Sequence, residues 1–435
     1  MTRNLKLLLG AGAIFYLIGA INDAVGMYVF AAICLAVIFA CFFMTRLVIR
    51  GVTPQVRLEA TRARAGQDVL AVVSVRNAGA ISRTGMSLRL YVMNTTVPAT
   101  SDEYEFPLPA LPPHSRSEFE VKLACHARGV HRVEDLTIIA NDPIGVFHRR
   151  RRFDEYHNFL GLPRSYEEGG MVAWELLSPE GRRAAQLLQR SSGDIRGVRR
   201  FDLGDDLRHV HWKVSAHTGE LVVKQYRHRR GAEVTVWLDL WEPNHVVSGP
   251  LSPTETAISL ATTLLALFVR GEYQVTLAGH GLPADLQLPS RGEAYLDRAV
   301  VALAQAAPRT GPTFAELCLG QARRSPRLGS VFCITPAAEA DLEEALVAIS
   351  GRGAQVTVLF ADGSGTGPAR PAERLSAEAR AALAGRLRAR NVRVVEVGSM
   401  DDIPAALSEL AGATSRETLS YPRHDPEPAG LPANT

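Results

Sequence analysis

GAEVTVWLDLW (231–241) decides the fold of the C-terminal half, because it is an apolar run with the length of a buried strand. A helical pattern follows it, ETAISLATTLLALFVRG (255–271), and strand and helix patterns then alternate to residue 412. Apolar strands that alternate with amphipathic helices predict a mainly parallel, doubly wound sheet that is covered on both faces. We therefore predict an α/β domain over residues 231–412. The polar, proline-rich tail over 413–435 is predicted to be disordered.

Two apolar runs lie at the start of the chain, LKLLLGAGAIFYLIGAI (5–21) and AVGMYVFAAICLAVIFACFFMTRLVI (24–49). Each run is near the ~20 apolar residues that a helix needs to cross about 30 Å of hydrocarbon. The link between them allows only a tight turn, so residues 1–50 are predicted to form a two-span transmembrane helical hairpin. An alternative is that residues 1–21 are a cleaved signal peptide and that the rest of the chain is exported.

Charged residues around the hairpin indicate its orientation. Arg3 and Lys6 flank the first run and Arg46 and Arg50 flank the second, whereas the turn holds the acidic Asp23 and no lysine or arginine. Because cytoplasmic flanks carry the excess of basic residues, the N-terminus and the large C-terminal part are predicted to be cytoplasmic.

Residues 51–153 show short patterns of alternating apolar and polar residues, such as QDVLAVVSVRNAG (67–79) and GMSLRLYVM (85–93), with turn residues about every 10 positions. This spacing predicts an all-β domain of the sandwich type. The region ends in DPIGVFHRRRRF (142–153). Its basic run, His148 to Arg152, either faces anionic lipid headgroups or is a solvated strand end.

Composition excludes several classes of function. Lysine and arginine total 48 against 45 aspartates and glutamates, so no basic excess predicts a nucleic-acid partner. The five cysteines form no CxxC pair, which argues against a zinc site and a disulfide framework. The phosphate-binding patterns GxxxxGK[ST] and strand-linked GxGxxG do not occur, nor does the nucleophile pattern GxSxG. Cys318 and Cys333 fall in helix and strand patterns and are predicted to be core residues.

Ligands of doubly wound sheets bind at the carboxyl ends of strands, so we expect any chemistry in the loops after Leu240, Thr335 and Ala361. The first of these loops is DLWEP (239–243). Von Willebrand factor A domains hold magnesium with such a carboxylate and two hydroxyl residues at alternate positions. Here Trp241 and Pro243 stand at the hydroxyl positions and cannot supply a ligand, so no metal is predicted at Asp239.

The segment between the β and α/β domains, residues 154–230, contains GDIRGVRRFDLGDDLRHVHWKVSAHTGELVVKQY (193–226). Asp205 or Asp206 is expected to cap a following helical turn, SAHTGE to form another turn, and LVVKQY to form a strand that leads into the sheet. Trp212 is expected to anchor the segment against the α/β domain.

Four interpretations of this segment remain open. His209 and His211 with Asp205 or Asp206 are suitable metal ligands, and the aspartate pair could act as an acid or base. Arginines at positions 199, 200 and 208 would instead hold those carboxylates ionised. A docking surface for another protein uses the same residue types, as does an internal ion-pair network that fixes the segment to the α/β domain.

The segment resembles the signature of a bacterial family, domain-of-unknown-function family 58, of the form R-x-Y/F-x-x-GDD-x-R-x-I-x-W-x-x-SAR-x-G. His217 replaces the usual arginine and Leu207 a common proline. Family members are similar to this chain in their two N-terminal spans, their DP-x-G phrase and a von Willebrand A-like C-terminal domain. The matching residues are Arg199, Phe201, Gly204, Asp205, Asp206, Arg208, Val210, Trp212, Ser215, Ala216 and Gly219.

The resemblance implies partners rather than an activity, because such proteins are encoded with MoxR-type AAA+ ATPases and other envelope membrane proteins. We therefore expect a non-enzymatic adaptor of the bacterial inner membrane, with no catalytic residue, metal or cofactor, that binds protein partners in cell-envelope assembly or stress response. The alternative is a hydrolase or metal-dependent enzyme that uses Asp205, Asp206 and His211. A further alternative is a structural envelope protein whose β domain binds ligands outside the cell.

Overall fold

The computed structural model describes residues 2–166, 195–200, 210–226, 233–245, 249–325, 328–339, 341–362 and 371–419. The chain divides into two compact units, Met1–Pro163 and Arg164–Thr435. The first unit contains an apolar helical hairpin and a β-rich part, and the second contains a mixed α/β part.

The predicted hairpin is present as two packed helices, α1 (Arg3–Asn22) and α2 (Val25–Val48). Asp23 lies between them with a φ of 48°, a left-handed conformation that lets the chain reverse at once. Both helices are long and apolar enough to cross a membrane. In each helix, only 11% of an apolar stretch of 18 residues is buried inside the protein. The hairpin therefore exposes apolar side chains around most of its surface.

The β-rich part consists of two sheets. The smaller sheet is antiparallel, in the order β1-β3-β6, and the larger has the order β2-β9-β7-β4-β5, with β8 also paired to β7. The strands are β1 (Val52–Leu58), β2 (Arg62–Arg64), β3 (Asp68–Asn77), β4 (Met86–Asn94), β5 (Asp102–Pro107), β6 (Arg116–Ala124), β7 (Gly129–Asn141), β8 (His148–Phe153) and β9 (His157–Leu162).

One hydrophobic core joins the two sheets. Val73 of β3 and Leu88 of β4 are both fully buried in it, as alternate residues of a half-buried strand should be. The β-rich part continues past residue 153, the predicted end, because β9 pairs with both β7 and β2.

The α/β part contains a five-stranded parallel sheet in the order β13-β12-β14-β15-β16. The alternation predicted from the sequence is present in these elements. The strands are β12 (Glu233–Leu238), β13 (Gln274–Gly279), β14 (Ser330–Thr335), β15 (Gln355–Ala361) and β16 (Arg393–Val397), and the helices that follow β12 are α4 (Pro253–Arg270), α5 (Glu293–Gln305), α6 (Phe314–Arg324), α7 (Leu342–Ser350), α8 (Pro371–Ala389) and α9 (Ile403–Leu419).

Helices cover both faces of this sheet. Helices α4, α5 and α9 share a core with one face, and α6, α7 and α8 share a second core with the other. Successive residues of β12 point into opposite cores, so Val236 lies in the first and Trp237 in the second. Helix α9 runs to Leu419, past residue 413, where the tail was predicted to begin.

Three further elements precede the sheet: β10 (Ile195–Arg200), α3 (Trp212–Thr218) and β11 (Val222–Tyr226). Strands β10 and β11 pair antiparallel in a two-stranded sheet of their own. The predicted strand LVVKQY is present as β11, but its hydrogen-bonded neighbour is β10.

Candidate functional site

The parallel sheet has a switch point between β12 and β14. The chain leaves β12 toward β13 on one side, and it leaves β14 toward β15 on the other. Diverging connections leave a crevice at the carboxyl ends of the two strands, where proteins of this architecture bind ligands. Asp239 follows β12 and Thr335 ends β14, so both residues lie at this crevice.

The Asp239 carboxylate is fully buried and accepts three hydrogen bonds. Its Oδ1 accepts from the backbone N–H of Trp241 at 2.9 Å. Its Oδ2 accepts from the Thr335 hydroxyl at 2.8 Å and from the Asn244 amide at 2.7 Å. Burial raises the pKa of the Asp239 carboxyl above its ordinary value, and the three donors oppose that rise. The carboxylate thus ties the loop after β12 to the end of β14.

Asn244 joins Asp239 to a second carboxylate. Its amide nitrogen also donates to Oε1 of Glu339 at 2.6 Å. Glu339 in turn accepts from the backbone N–H groups of Phe314 and Ala315, both at 3.2 Å, at the start of α6. The N–H groups of a first helical turn lack partners within the helix and attract negative charge, so the carboxylate stabilises this helix end. Two loops and a helix end therefore form one polar network.

Two histidines lie beside Asp239, and both bond to the backbone. His280 accepts the Leu240 N–H at Nδ1, 3.2 Å away, so its proton is on Nε2, which donates to the Pro312 carbonyl at 2.9 Å. Nδ1 of His280 is 3.9 Å from Oδ1 of Asp239, but it carries no proton to share. His245 donates from Nε2 to the Asp239 carbonyl at 3.0 Å. Both rings hold the loops in place.

The third predicted loop, after β15, is fixed by an arginine. Arg380 of α8 is only 8% exposed. It donates to Oδ2 of Asp362 at 2.5 Å and to the Pro336 carbonyl at 3.2 Å. A buried guanidinium with a paired carboxylate holds the loops after β14 and β15 together. All three loops in which we expected chemistry are thus joined by internal bonds.

This edge of the sheet offers poor metal ligands. Both oxygens of the Asp239 carboxylate accept hydrogen bonds from N–H or O–H donors, and Trp241 contributes an N–H where a magnesium site needs an oxygen. Within the part of the chain that the structure describes, no group of three or more histidine, cysteine, aspartate or glutamate residues is placed to hold a metal ion.

The two cysteines considered as nucleophiles are fully buried, Cys318 in α6 and Cys333 in β14. Burial raises the pKa of the Cys318 thiol well above its ordinary value, and a hydrogen bond with Cys333 adds to the rise. A buried, protonated thiol is not a nucleophile. Both side chains pack in the second core, in the helix and strand interiors that the sequence predicted.

A groove of about 470 Å³ lies between the end of β13 and α6. Arg309 and Arg324 line it together with Glu316. Its wall requires a glycine at Gly281, whose φ is +69° and whose Cβ would lie 2.5 Å from Arg309. Since Asp239 is fully buried, a ligand in this groove would meet the two arginines and not that carboxylate.

The signature segment is described in part. Arg199 lies on β10 opposite Val223 of β11. The residues of the signature that fall outside the described residues are Phe201, Gly204, Asp205, Asp206 and Arg208; His209 does so as well.

The predicted SAHTGE turn is present only in part: residues 215–218 continue a helix that starts at Trp212, and the chain turns at Gly219. His211 is the N-cap of this helix α3, and its Nδ1 accepts the Val214 N–H at 3.4 Å. The helical turn that Asp205 or Asp206 was expected to cap lies outside the described residues. Gly219 ends the helix with a φ of 73°, a left-handed conformation that favours glycine.

One side of α3 is bonded to β11. Ser215 accepts the Val222 N–H at 2.9 Å, and the His211 N–H donates to the Val222 carbonyl at 2.8 Å. Val210 and Ser215 are buried, whereas Trp212 is 62% exposed. The expectation that the indole anchors the segment is therefore wrong, and the indole lies on the surface of a short, fixed helix. Ala216 is also exposed.

These features define a class: a protein with an apolar helical hairpin, a two-sheet β part and a doubly wound α/β part whose switch point is closed by internal bonds. The model of a family described as "Protein of unknown function DUF58" matches residues 197–365. The match covers all of the signature, from Arg199 to Gly219, and the Asp239 network, and it supports the resemblance seen in the sequence. No curated protein matches this chain.

Similarity to solved structures is weak and partial. Alkylpurine DNA glycosylase AlkC of Pseudomonas fluorescens is similar over 34% of this chain and 41% of its own, with 11% identity and a TM-score of 0.20. The CARDB domain of the PF1109 protein of Pyrococcus furiosus is similar over 24% of this chain and 93% of its own, with 12% identity and a TM-score of 0.17. Spo0M of Bacillus subtilis is similar over 35% and 59%, with 10% identity and a TM-score of 0.16. At these TM-scores the similarities carry no argument about fold or function.

Proposed function

We propose that this protein is a membrane-anchored, non-enzymatic adaptor that binds protein partners through helix α3 and the signature around it. The observation that carries the proposal is the 62% exposure of Trp212 on a helix whose other side is fixed to β11. Tryptophan is among the residues that contribute most to protein interfaces. A side chain on a helix that is already ordered loses less entropy on binding than one on a mobile loop.

The partner that we propose is a MoxR-type AAA+ ATPase, alongside other envelope proteins, and the process is cell-envelope assembly or stress response. The match of residues 197–365 to the family of unknown function supports this choice only through the resemblance, which links such chains to these ATPases. We also propose that the α/β part is von Willebrand A-like. In that case it binds its partner without a bridging magnesium ion, because Trp241 and Pro243 occupy the hydroxyl positions.

Anchoring in the bacterial inner membrane is the second component of the proposal. Helices α1 and α2 expose apolar side chains along their length, for example Ile14 at 59% and Phe39 at 64%. A surface of this kind is stable in hydrocarbon and costly in water. The basic flanks favour an orientation with the N-terminus and the C-terminal unit in the cytoplasm.

The alternative is a hydrolase or metal-dependent enzyme that uses Asp205, Asp206 and His211, of which the structure describes His211. Nδ1 of His211 accepts the Val214 N–H as a helix cap, which leaves Nε2 to serve as base or ligand. A metal assay on the purified protein separates the two hypotheses. A stoichiometric ion that is lost in His211→Ala would favour the enzyme.

Pull-down from membranes in mild detergent tests the adaptor. Trp212→Ala should sharply reduce recovery of an AAA+ ATPase identified by mass spectrometry. Leu288→Ala is the matched control, because it truncates another exposed apolar side chain of the same unit, at 63% exposure. Equal recovery with wild type and Trp212→Ala would refute the docking role of α3.

A further inference from the structure

The loop Asp142–Phe147, which joins β7 to β8, is folded around the Asp142 carboxylate. Oδ1 accepts the N–H groups of Ile144 at 2.9 Å and Val146 at 3.2 Å, and Oδ2 accepts that of Phe147 at 2.5 Å. Burial alone would raise the pKa of Asp142, but these donors outweigh it and hold the pKa below its ordinary value. The carboxylate stays charged and fixes the shape of the loop.

The folded loop packs against the end of the hairpin that holds both the start of α1 and the last turns of α2. Val146 is 1% exposed and lies in a small core with Leu5 of α1 and Cys41 of α2. The ring of Phe147 meets the ring of Phe42 edge to face, with centroids 5.8 Å apart. The sequence phrase DP-x-G-hydrophobic thus forms one of the contacts between the β-rich part and the hairpin.

Polar bonds fix the same contact. The Thr2 hydroxyl donates to the Val146 carbonyl at 2.5 Å, and the Asn4 amide donates to the Ile144 carbonyl at 2.7 Å. These bonds hold the Asp142–Phe147 loop beside the first turn of α1. The position of the loop relative to the hairpin is therefore set by both helices.

A second loop, residues 78–85, lies at the same end. The Ala78 N–H donates to the carbonyl of Gly51, which stands between α2 and β1, at 2.8 Å. The other end of this loop is bonded to the residue that precedes the Asp142–Phe147 loop, since the Asn141 N–H donates to the Gly85 carbonyl at 2.9 Å. Each loop exposes an isoleucine, Ile81 at 52% and Ile144 at 50%.

Strand β8 starts directly after Phe147 and contacts α2. Its arginines fall into two groups. Arg152 pairs with Asp135, and the guanidinium of Arg151 lies 4.8 Å from the centre of the Phe153 ring. Arg149 and Arg150, which are closer to the hairpin, are exposed and form no ion pair within 4 Å with any residue that the structure describes.

Glu105, whose pKa the charge of Arg150 affects, already has other partners. The charge of Arg150 lowers the pKa of Glu105, but weakly in comparison with the bonds from Ser87 and Arg89. Those bonds are 2.7 and 2.8 Å long. Arg150 is therefore available to another anion.

Basic residues of α1 and α2 also lie at this end of the hairpin. Arg3 and Lys6 lie in the first turns of α1, and Arg46 and Arg50 lie at the end of α2. All four side chains are exposed. Exposed isoleucines and exposed cations at one end of the hairpin match a membrane surface, where apolar side chains enter the headgroup layer and cations meet lipid phosphates.

We propose that this end of the β-rich part binds anionic phospholipid headgroups, with Arg149 and Arg150 as the principal contacts and the Asp142–Phe147 loop as the element that positions them. The proposal rests on the membrane anchoring proposed above. It commits to lipid, because the loop that precedes Arg149 packs directly on an apolar hairpin that has the length of a membrane span.

The full chain can be reconstituted in nanodiscs of phosphatidylcholine mixed with phosphatidylglycerol, and native mass spectrometry can count the lipids that it retains. Wild type should retain phosphatidylglycerol in preference to phosphatidylcholine. Arg149→Gln with Arg150→Gln should lower that preference by about fivefold for each arginine that contacts a headgroup.

Arg62→Gln with Arg64→Gln is the matched control, because it removes the same charge from β2. Strand β2 lies beside β9, which pairs with β7 near Gly129, whereas the proposed lipid site follows the opposite end of β7 at Asn141. At about 3.4 Å per residue the two ends of β7 are roughly 40 Å apart. The control should keep the wild-type preference.

Three outcomes would overturn the proposal, and they are distinguishable. A chain that does not enter nanodiscs refutes the anchoring and the lipid site together. A chain that enters them without preferring phosphatidylglycerol, or whose Arg149/Arg150 variant keeps the preference, refutes the lipid site alone. Equal losses in the two double variants would show that net charge, and not this surface, attracts the lipid.

Discussion

Replacing Thr335 with valine should destabilise the α/β unit, because it removes a hydrogen bond to a buried carboxylate. Thr335 is fully buried, and its hydroxyl donates to Oδ2 of Asp239 at 2.8 Å. The hydroxyl also accepts the Ala337 N–H at 3.2 Å. Valine keeps the side-chain volume, so the packing should change little. Hydrogen bonds to charged groups contribute about 1.5 to 3 kcal/mol, and we expect a loss of about 2 kcal/mol.

Tryptophan fluorescence can follow this loss in the intact protein. All four tryptophans, at positions 174, 212, 237 and 241, lie in the C-terminal unit, so the signal reports on that unit. Trp237 lies two residues before Asp239, and Trp241 lies two residues after it. Urea unfolding in mild detergent should show a midpoint lowered by about 1 M, given a denaturant dependence of roughly 2 kcal/mol per molar.

Thr276→Val is the matched control on the neighbouring strand β13. Thr276 is 5% exposed, and its hydroxyl has no hydrogen-bond partner among the described residues. Removal of an unpaired buried hydroxyl should leave the midpoint unchanged or raise it. If Thr335→Val costs no more than Thr276→Val, the carboxylate network does not stabilise this edge of the sheet and the reasoning fails.

Three further variants test other features. Burial raises the folded-state pKa of Asp239 above its unfolded value of about 3.9. The contribution of the Asp239 carboxyl to stability is therefore complete below the unfolded pKa and is lost as pH rises through the folded pKa. Wild type should lose stability relative to Asp239→Asn over this window, which urea midpoints at a series of pH values would show. Asp142→Ala leaves three backbone N–H groups without their acceptor, at a cost of about 2 to 3 kcal/mol, and exchange of the amides of residues 144–147 should accelerate roughly 100-fold by mass spectrometry. Trp212→Ala should shift the free energy of unfolding by no more than about 0.5 kcal/mol, because the indole is exposed, and a larger loss would mean that Trp212 has a structural role.

The sequence predicted those elements that local pattern determines. Helices α1 and α2 follow from uninterrupted apolar runs, and β12 and α4 follow from an apolar strand pattern beside a long helical one. Local pattern failed at residues 215–218, which were predicted to belong to a turn, SAHTGE, and which are helical. Hydrogen bonds that join the His211 N–H and the Ser215 hydroxyl to the backbone of Val222 stabilise a helix there, and these bonds depend on a strand that the local pattern cannot position.

The polar network at the switch point was predicted only in its location. Asp239 stood out as a carboxylate after a buried strand, but its partner Thr335 is 96 positions away along the chain. The strands β12 and β14 must be adjacent and in register before the two side chains meet, and a single sequence does not specify that register. The bond between Asn244 and Glu339 could not be predicted for the same reason, since the two residues are 95 positions apart along the chain.

The closed switch point bears on where this protein can bind a partner. A cation that entered the crevice would have to displace three donors from Asp239, and each of these bonds to a charged group contributes about 1.5 to 3 kcal/mol. It would then meet the N–H of Trp241 where octahedral magnesium requires an oxygen. The buried polar groups at this edge are thus committed to one another. A binding function must therefore use other groups, and among the described exposed side chains of the α/β unit Trp212 is the largest apolar one.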